Sequence, residues 1–172
     1  MLPVSLGEQR MIQTVILAPV PCLHLHSASE VPSLGERVAF GSNQQAVPNL
    51  PIGAQVFIYA SDPQTATKEA LRLHKPGYAT WTGYLGTVVN AVQGGRRDGK
   101  HPDSSVRPPT AEATDTHFMY FWEVLGLRPL RPPRPLADFT GTLAKGGVPK
   151  WPARADLEFS EEQWARHERK PS

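Results

Sequence analysis

A single cysteine, Cys22, leaves this chain without the material for an internal disulfide or a multi-cysteine zinc site. No apolar run approaches the roughly 18 residues that a bilayer crossing needs, so no membrane partner is expected. Charge of neither sign dominates: 18 Lys and Arg stand against 16 Asp and Glu, a net +2. That balance excludes a histone-like polycation and an acidic disordered chain, while leaving nucleic acid open as a partner. What the sequence does have in quantity is 14 Gly and 18 Pro in 172 residues. So many breakers exclude a helical bundle or a coiled coil. The length fits one domain with its own core, and the composition points to a compact, β-rich protein.

Signatures of catalysis are missing too. There is no phosphate-cradling glycine loop with lysine, no Gly-x-Ser-x-Gly elbow and no metalloprotease histidine pair. The expectation is a protein that is not an enzyme and carries neither cofactor nor metal. The stretch Met11–Ala18 after Arg10 faintly resembles a signal peptide but lacks a small-residue cleavage site, and Pro21 before Cys22 argues against a lipoprotein signal. It reads instead as a buried first strand in a soluble, cytoplasmic protein.

Residues 1–11 read as a loose tail and 12–170 as one domain. The β-branched run Ile12–Ala18 predicts a core strand, Glu36–Phe40 a second and Ala54–Ala60 a third. One helical turn over Asn43–Val47 would stop at Pro48. Asp62-Pro63 predicts a helix start, with Asp62 capping and proline at the first position, running to about His74 before Lys75-Pro76-Gly77. Tyr78–Val92 alternates Ala79, Trp81, Gly83, Leu85, Val89 and Ala91 on one face, with Gly83 and Gly86 placed to let it bend. Phe118–Leu127 is an aromatic strand. Between these two, 93–116 shows no periodicity and reads as a mobile insertion. Leu157–Phe159 predicts a last strand. A terminal helix over 160–169 follows, with Ser160 and Gln163 as a capping box and Phe159 and Trp164 as a hydrophobic staple. Five or six strands with short helices at their junctions suggest a small α+β protein built on a mixed β-barrel.

Three groups of residues invite chemistry. In Cys22-Leu23-His24-Leu25-His26 the alternation reads as a strand or loop. Its outer polar side chains would then lie about 13 Å apart, too far to share an ion. His24 and His26 alone could ligate if a bulge drew them together; otherwise they are ordinary histidines. In Arg128-Pro129-Leu130-Arg131-Pro132-Pro133-Arg134-Pro135, polyproline II geometry would line up Arg128, Arg131 and Arg134 about 9 Å apart, a row suited to phosphates. The same segment carries a Pro-x-x-Pro-x-Arg pattern that could dock a protein partner, or it is simply a rigid strand exit. Finally the aromatics Phe40, Tyr59, Trp81, Tyr84, Tyr120 and Trp122, with Ser42, Asn43 and Ser61 at strand ends, are the residue types that stack on and bond an unstacked base.

The order Phe40-Gly41-Ser42-Asn43-Gln44 and then Gly53-Ala54-Gln55-Val56-Phe57-Ile58-Tyr59-Ala60-Ser61 resembles the EVE domain of the PUA-like superfamily. Trp81–Val89, Pro135–Phe139 and Ala155–Trp164 are similar to later segments of that family, in the same order. Phe40 stands where the family prefers tryptophan, Ser42 where it has arginine, and Ala60 where it has histidine. The resemblance implies a PUA-like mixed β-barrel with short flanking helices. It also implies a pocket that receives a flipped base, possibly modified, in DNA, with an RNA-binding module as the alternative. Carried over by position, Phe40, Ser42, Asn43, Tyr59 and Ser61 are pocket candidates; Trp81 and Trp122 join them on the strength of the faces they share.

Overall fold

Of the β-branched run Ile12–Ala18, only Val15–Ala18 is buried from both sides, while Ile12 is 72% exposed. A computed structural model describes residues 10–92, 99–141 and 149–160. Its first strand, β1, spans Arg10–Pro21, and Val15, Ile16, Leu17 and Ala18 are all essentially inaccessible. Continuous apolar sequence of this kind suits a strand covered on both faces. Pro21 ends it and hands over to helix α1, Cys22–Ser29. The remaining strands are β2 Arg37–Ser42, β3 Gln55–Ser61, β4 Tyr78–Asn90, β5 Tyr120–Pro135, β6 Phe139–Thr140 and β7 Ala153–Ser160.

These form one seven-stranded mixed sheet in the order β2-β5-β4-β3-β1-β7-β6. Only β1 and β3 run parallel; every other pair is antiparallel. The protein is therefore α+β with few helices, and the hydrogen-bonded order is open: among the described residues β2 and β6 are its two edges, and no pairing closes a barrel. Alternation along β1 splits the core. Ile16, Ala18 and Val20 face a large cluster with α1, Phe40 and Trp122, while Val15 and Leu17 face a second with Phe57, Tyr59 and Leu157. Strands β4 and β5 approach so closely that a Cβ on Gly83 would lie 2.8 Å from the Leu125 carbonyl oxygen.

Several expectations need correction. Cys22–His26 is helical, not extended, because Cys22, Leu25 and Ala28, three residues apart, turn onto the large cluster. No long helix starts at Asp62. A 3-10 turn, Pro63–Thr65, comes first, and helix α2, Lys68–Leu73, is capped by Thr67, whose hydroxyl accepts from the Ala70 N–H. Pro48 sits within a 3-10 turn, Val47–Asn49, instead of ending a helical one. The segment 128–135 is the second half of β5, not a free polyproline helix. Only β4 pairs with it there, since β2 reaches no further than Leu125, so its prolines fall on an open edge where no N–H is needed.

The described part of the insertion, 99–116, carries a 3-10 turn, Ser104–Val106, and helix α3, Pro109–Thr114. Val106 packs with Ala39, Ala91 and Phe121 in a third cluster. Glu123, itself buried, clasps this segment to the sheet: it accepts from Arg37 Nε at 2.7 Å and bonds His101 Nε2 at 2.6 Å. His101 Nδ1 accepts from the Asp103 N–H, so the ring carries its proton on Nε2 and donates to Glu123. The terminal helix expected over 160–169 lies outside the described residues from 161 onward. No described helix is long and apolar enough to cross a membrane.

Candidate functional site

The pocket residues expected from sequence do not converge. Trp122 is 1% exposed, and its ring lies 4.9 Å from that of Phe40 inside the large cluster. Tyr59 belongs to the second cluster, where its hydroxyl donates to the Pro149 carbonyl. Ser42 is buried and accepts from the Gln44 N–H; exposed Asn43 accepts from the Met119 N–H. Ser61 ends β3 beside Pro21. Trp81 donates its indole N–H to His74 Nδ1 at 2.9 Å. These side chains act in packing and loop fixing, and of the seven only Phe40 lines the cavity described next.

Nor do the three arginines form a row. Arg128 donates to the Gly126 carbonyl and stacks over Tyr84, 5.5 Å from the ring centroid. Arg134 pairs with Asp138 at 3.2 Å. Arg131 is exposed.

A cavity of about 120 Å³ opens where β1 ends. Pro19, Val20 and Pro21 form its floor, α1 contributes His24, and β2 contributes Phe40 and Gly41. The 99–118 segment supplies the rest: Arg107, Ala111, Asp115 and Phe118. Gly41 is required here by close approach, because a Cβ at that position would overlap the Phe118 ring. One aromatic wall thus rests directly on backbone.

Arg107 is the least ordinary member. It is 4% exposed, and burial pushes its guanidinium down from the ordinary range while Glu112 and Asp115 act the other way. An arginine nonetheless keeps its charge in a protein. Nη1 donates to the Ala39 carbonyl at 2.8 Å and Nη2 to the Asp115 carbonyl at 2.7 Å, while buried Nε has no partner among the described residues. The ring faces of Phe121 and Phe118 flank the cation at 4.9 and 5.7 Å. Its two bonds are thus to neutral carbonyls, which leaves a buried cation without a bonded carboxylate.

His24 is fixed by what surrounds it. Its Nε2 faces the Asp115 carboxylate at 3.3 Å and its Nδ1 lies 2.7 Å from the Thr110 hydroxyl. Asp115 can only accept, so His24 carries its proton on Nε2 and takes a second one in hydrogen bonding from Thr110. Burial holds the ring below its ordinary pKa, against the opposing pull of Asp115. Thr110 is in turn bonded to Ser27 Oγ at 2.9 Å and does not line the cavity. The chain of hydroxyls orients the imidazole.

The other histidine of α1 goes elsewhere. A helix turns His26 away from His24, and its Nδ1 meets His74 Nε2 at 3.1 Å. The indole donor fixes this relay: His74 Nδ1 accepts, so its Nε2 donates to His26. Among the described residues no three His, Cys, Asp or Glu side chains are grouped to hold an ion.

Sequence reading missed Arg107, Asp115 and Phe118. They lie in a stretch without periodicity, and the one available signal was a cationic residue, Arg107, locked between Val106 and Pro108 in an otherwise polar loop. No family model, no curated protein and no solved structure matches the chain.

Proposed function

We propose that this protein is a non-catalytic nucleic-acid-binding module, and that it receives one flipped base in the cavity at the end of β1. The observation that carries the reading is the pairing of two aromatic walls, Phe40 and Phe118, with a buried arginine in a cavity of about 120 Å³. An unstacked base needs an aromatic surface and hydrogen bonds on its edge, and this cavity offers both. Phe40 and Gly41 also belong to the stretch that resembles the EVE domain, which supports the same reading. In that reading the mixed sheet, with β2 and β6 left as edges, is an open variant of the PUA-like barrel. Exposed Arg131 would meet the phosphate backbone, while Arg128 and Arg134 are engaged within the protein.

The test is a binding panel of plain and modified DNA and RNA oligonucleotides at two salt concentrations, followed by fluorescence anisotropy. Base-dependent affinity is expected, and Phe118→Ala is expected to weaken it roughly 5- to 150-fold, the worth of one base stack. A preference for RNA over DNA of the same sequence would assign the 2′-OH a role. Wild-type protein that binds none of these strands, or a folded Phe118→Ala protein that binds them unchanged, would end the proposal.

A further inference from the structure

Helices α1 and α2 are joined by two histidines whose bonds leave no place for an added proton. Helix α2 is six residues long, and Ala70 is its buried residue, with Leu71 packed partly against the large cluster. So short a helix does not hold itself together in water. His74, its C-cap, is wholly buried and ties it down at both sides. On β4, the Trp81 indole N–H fills His74 Nδ1 at 2.9 Å; on α1, His26 Nδ1 meets His74 Nε2 at 3.1 Å. An indole only donates, so both bonds have a fixed direction. His26 Nδ1 is then the bare acceptor, and its own proton stands on Nε2, 3.6 Å from the Glu30 carboxylate. A proton added to His74 would set N–H against the indole N–H. One added to His26 Nδ1 would set N–H against the His74 N–H. Either charge breaks a bond of the join.

We infer that this relay is an acid-sensitive latch, whose protonation releases α2 from α1 and β4 while the sheet stays folded. The charged groups nearby do not offset the effect. Glu30 faces His26, and His26 alone bears on His74. Asp115 and Arg107 of the insertion, and Asp62 ahead of the Pro63–Thr65 turn, act on His24 instead. Lys68, Glu69, Arg72 and Lys75, beside His74 in sequence, are exposed. The closed latch refuses a proton that the open one accepts, so acid favours opening. A ring that titrates near 6.5 when free and at about 4 when held shifts the opening equilibrium roughly 20-fold between pH 7 and pH 5. The latch does not depend on what the cavity binds.

Long-range proton–nitrogen NMR of the wild-type imidazoles reads the closed latch directly. At pH 7 His74 and His26 are each expected to carry the proton on Nε2 above a bare Nδ1; an Nδ1–H form of His74 overturns the inference. Amide hydrogen exchange at pH 7 and pH 5, corrected for intrinsic rates, reads the opening. Protection over 68–74 is expected to fall about tenfold more than protection over 55–61. An equal fall in both segments, which is unfolding of the whole molecule, overturns the inference. His74→Gln can accept from the indole through its carbonyl and donate through its amide. It is expected to keep α2 protected at pH 7 and to lose most of the fall at pH 5; the full acid response in the folded variant overturns the inference. Trp81→Phe frees Nδ1 to take the proton with the bond to His26 kept, so His74 is expected to titrate closer to its ordinary value of about 6.5. An unmoved titration in folded Trp81→Phe also overturns it.

Discussion

Gly41 and His74 show how much single residues settle here. Gly41→Ala would drive a methyl group into the Phe118 ring and displace the cavity's wall. Overpacking of this kind typically costs about 1–3 kcal/mol. The variant is expected to lose both stability and base affinity, measured by urea unfolding and by anisotropy; normal affinity would separate Phe118 from binding. His74 is wholly buried, and burial first, with His26 beside it second, pushes its pKa down to about 4. Unfolded histidine titrates near 6.5, so between these values the unfolded chain binds a proton that the native one refuses. Stability is therefore full above about pH 6.5 and falls as the pH drops toward 4. The loss is roughly 2 kcal/mol once solvent screening is allowed for. Replacing His74 with Leu should flatten that stretch of the pH–stability curve without abolishing the slope, because His24 is shifted the same way.

At the level of elements, the clasp between the sheet and 99–116 centres on one carboxylate, beside the Val106 packing and the bond from Arg107 to the Ala39 carbonyl. Burial pushes Glu123 up, but bonds from Arg37 and His101 outweigh it and hold the group below its usual range. Glu123→Gln should cost about 1.5–3 kcal/mol, the scale of a hydrogen bond to a charged group. It should also speed amide hydrogen exchange selectively over 99–116; exchange that rises evenly over the whole sheet would mean the clasp is not local. Elements whose burial is written into adjacent residues were legible in the sequence. Val15–Ala18 and Val56–Ala60 are such runs, and both are strands with both faces covered. Helix α1 was not legible, because Cys22-Leu23-His24-Leu25-His26 alternates with period two while its helical stripe, Cys22, Leu25 and Ala28, has only three members. The second half of β5 was hidden by its prolines, which a strand tolerates only where one side is unpaired. The cavity was hidden for a related reason. Arg107 and Asp115 sit on single turns held by bonds to β2 and α1, and local sequence does not encode such partners.

Across the whole molecule, a net charge of +2 gives little general attraction to a polyanion. Strand binding should accordingly depend on few phosphate contacts and show a shallow salt dependence. Arg131→Ala is expected to lower the slope of log affinity against log salt by about 0.7–0.9, one contact's worth. A slope that does not change would place the phosphate path elsewhere on the surface.

The pairing of β1 with β7 has a consequence in time. Arg10 is in register with Ser160, and Leu17 with Ala153. An interior strand of the sheet is thus synthesised roughly 130 residues ahead of one of its two neighbours. A ribosome adds residues at about 5–20 per second, so β1 waits on the order of ten seconds for that neighbour. Throughout that interval one edge of β1 is unpaired and part of the second cluster has no lid, since Ala155 and Leu157 have not yet emerged. Nascent chains at this stage are the vulnerable ones. A chain stopped after Thr140 should be recovered mostly in the insoluble fraction, however intact its cavity residues, while the full-length chain is recovered soluble.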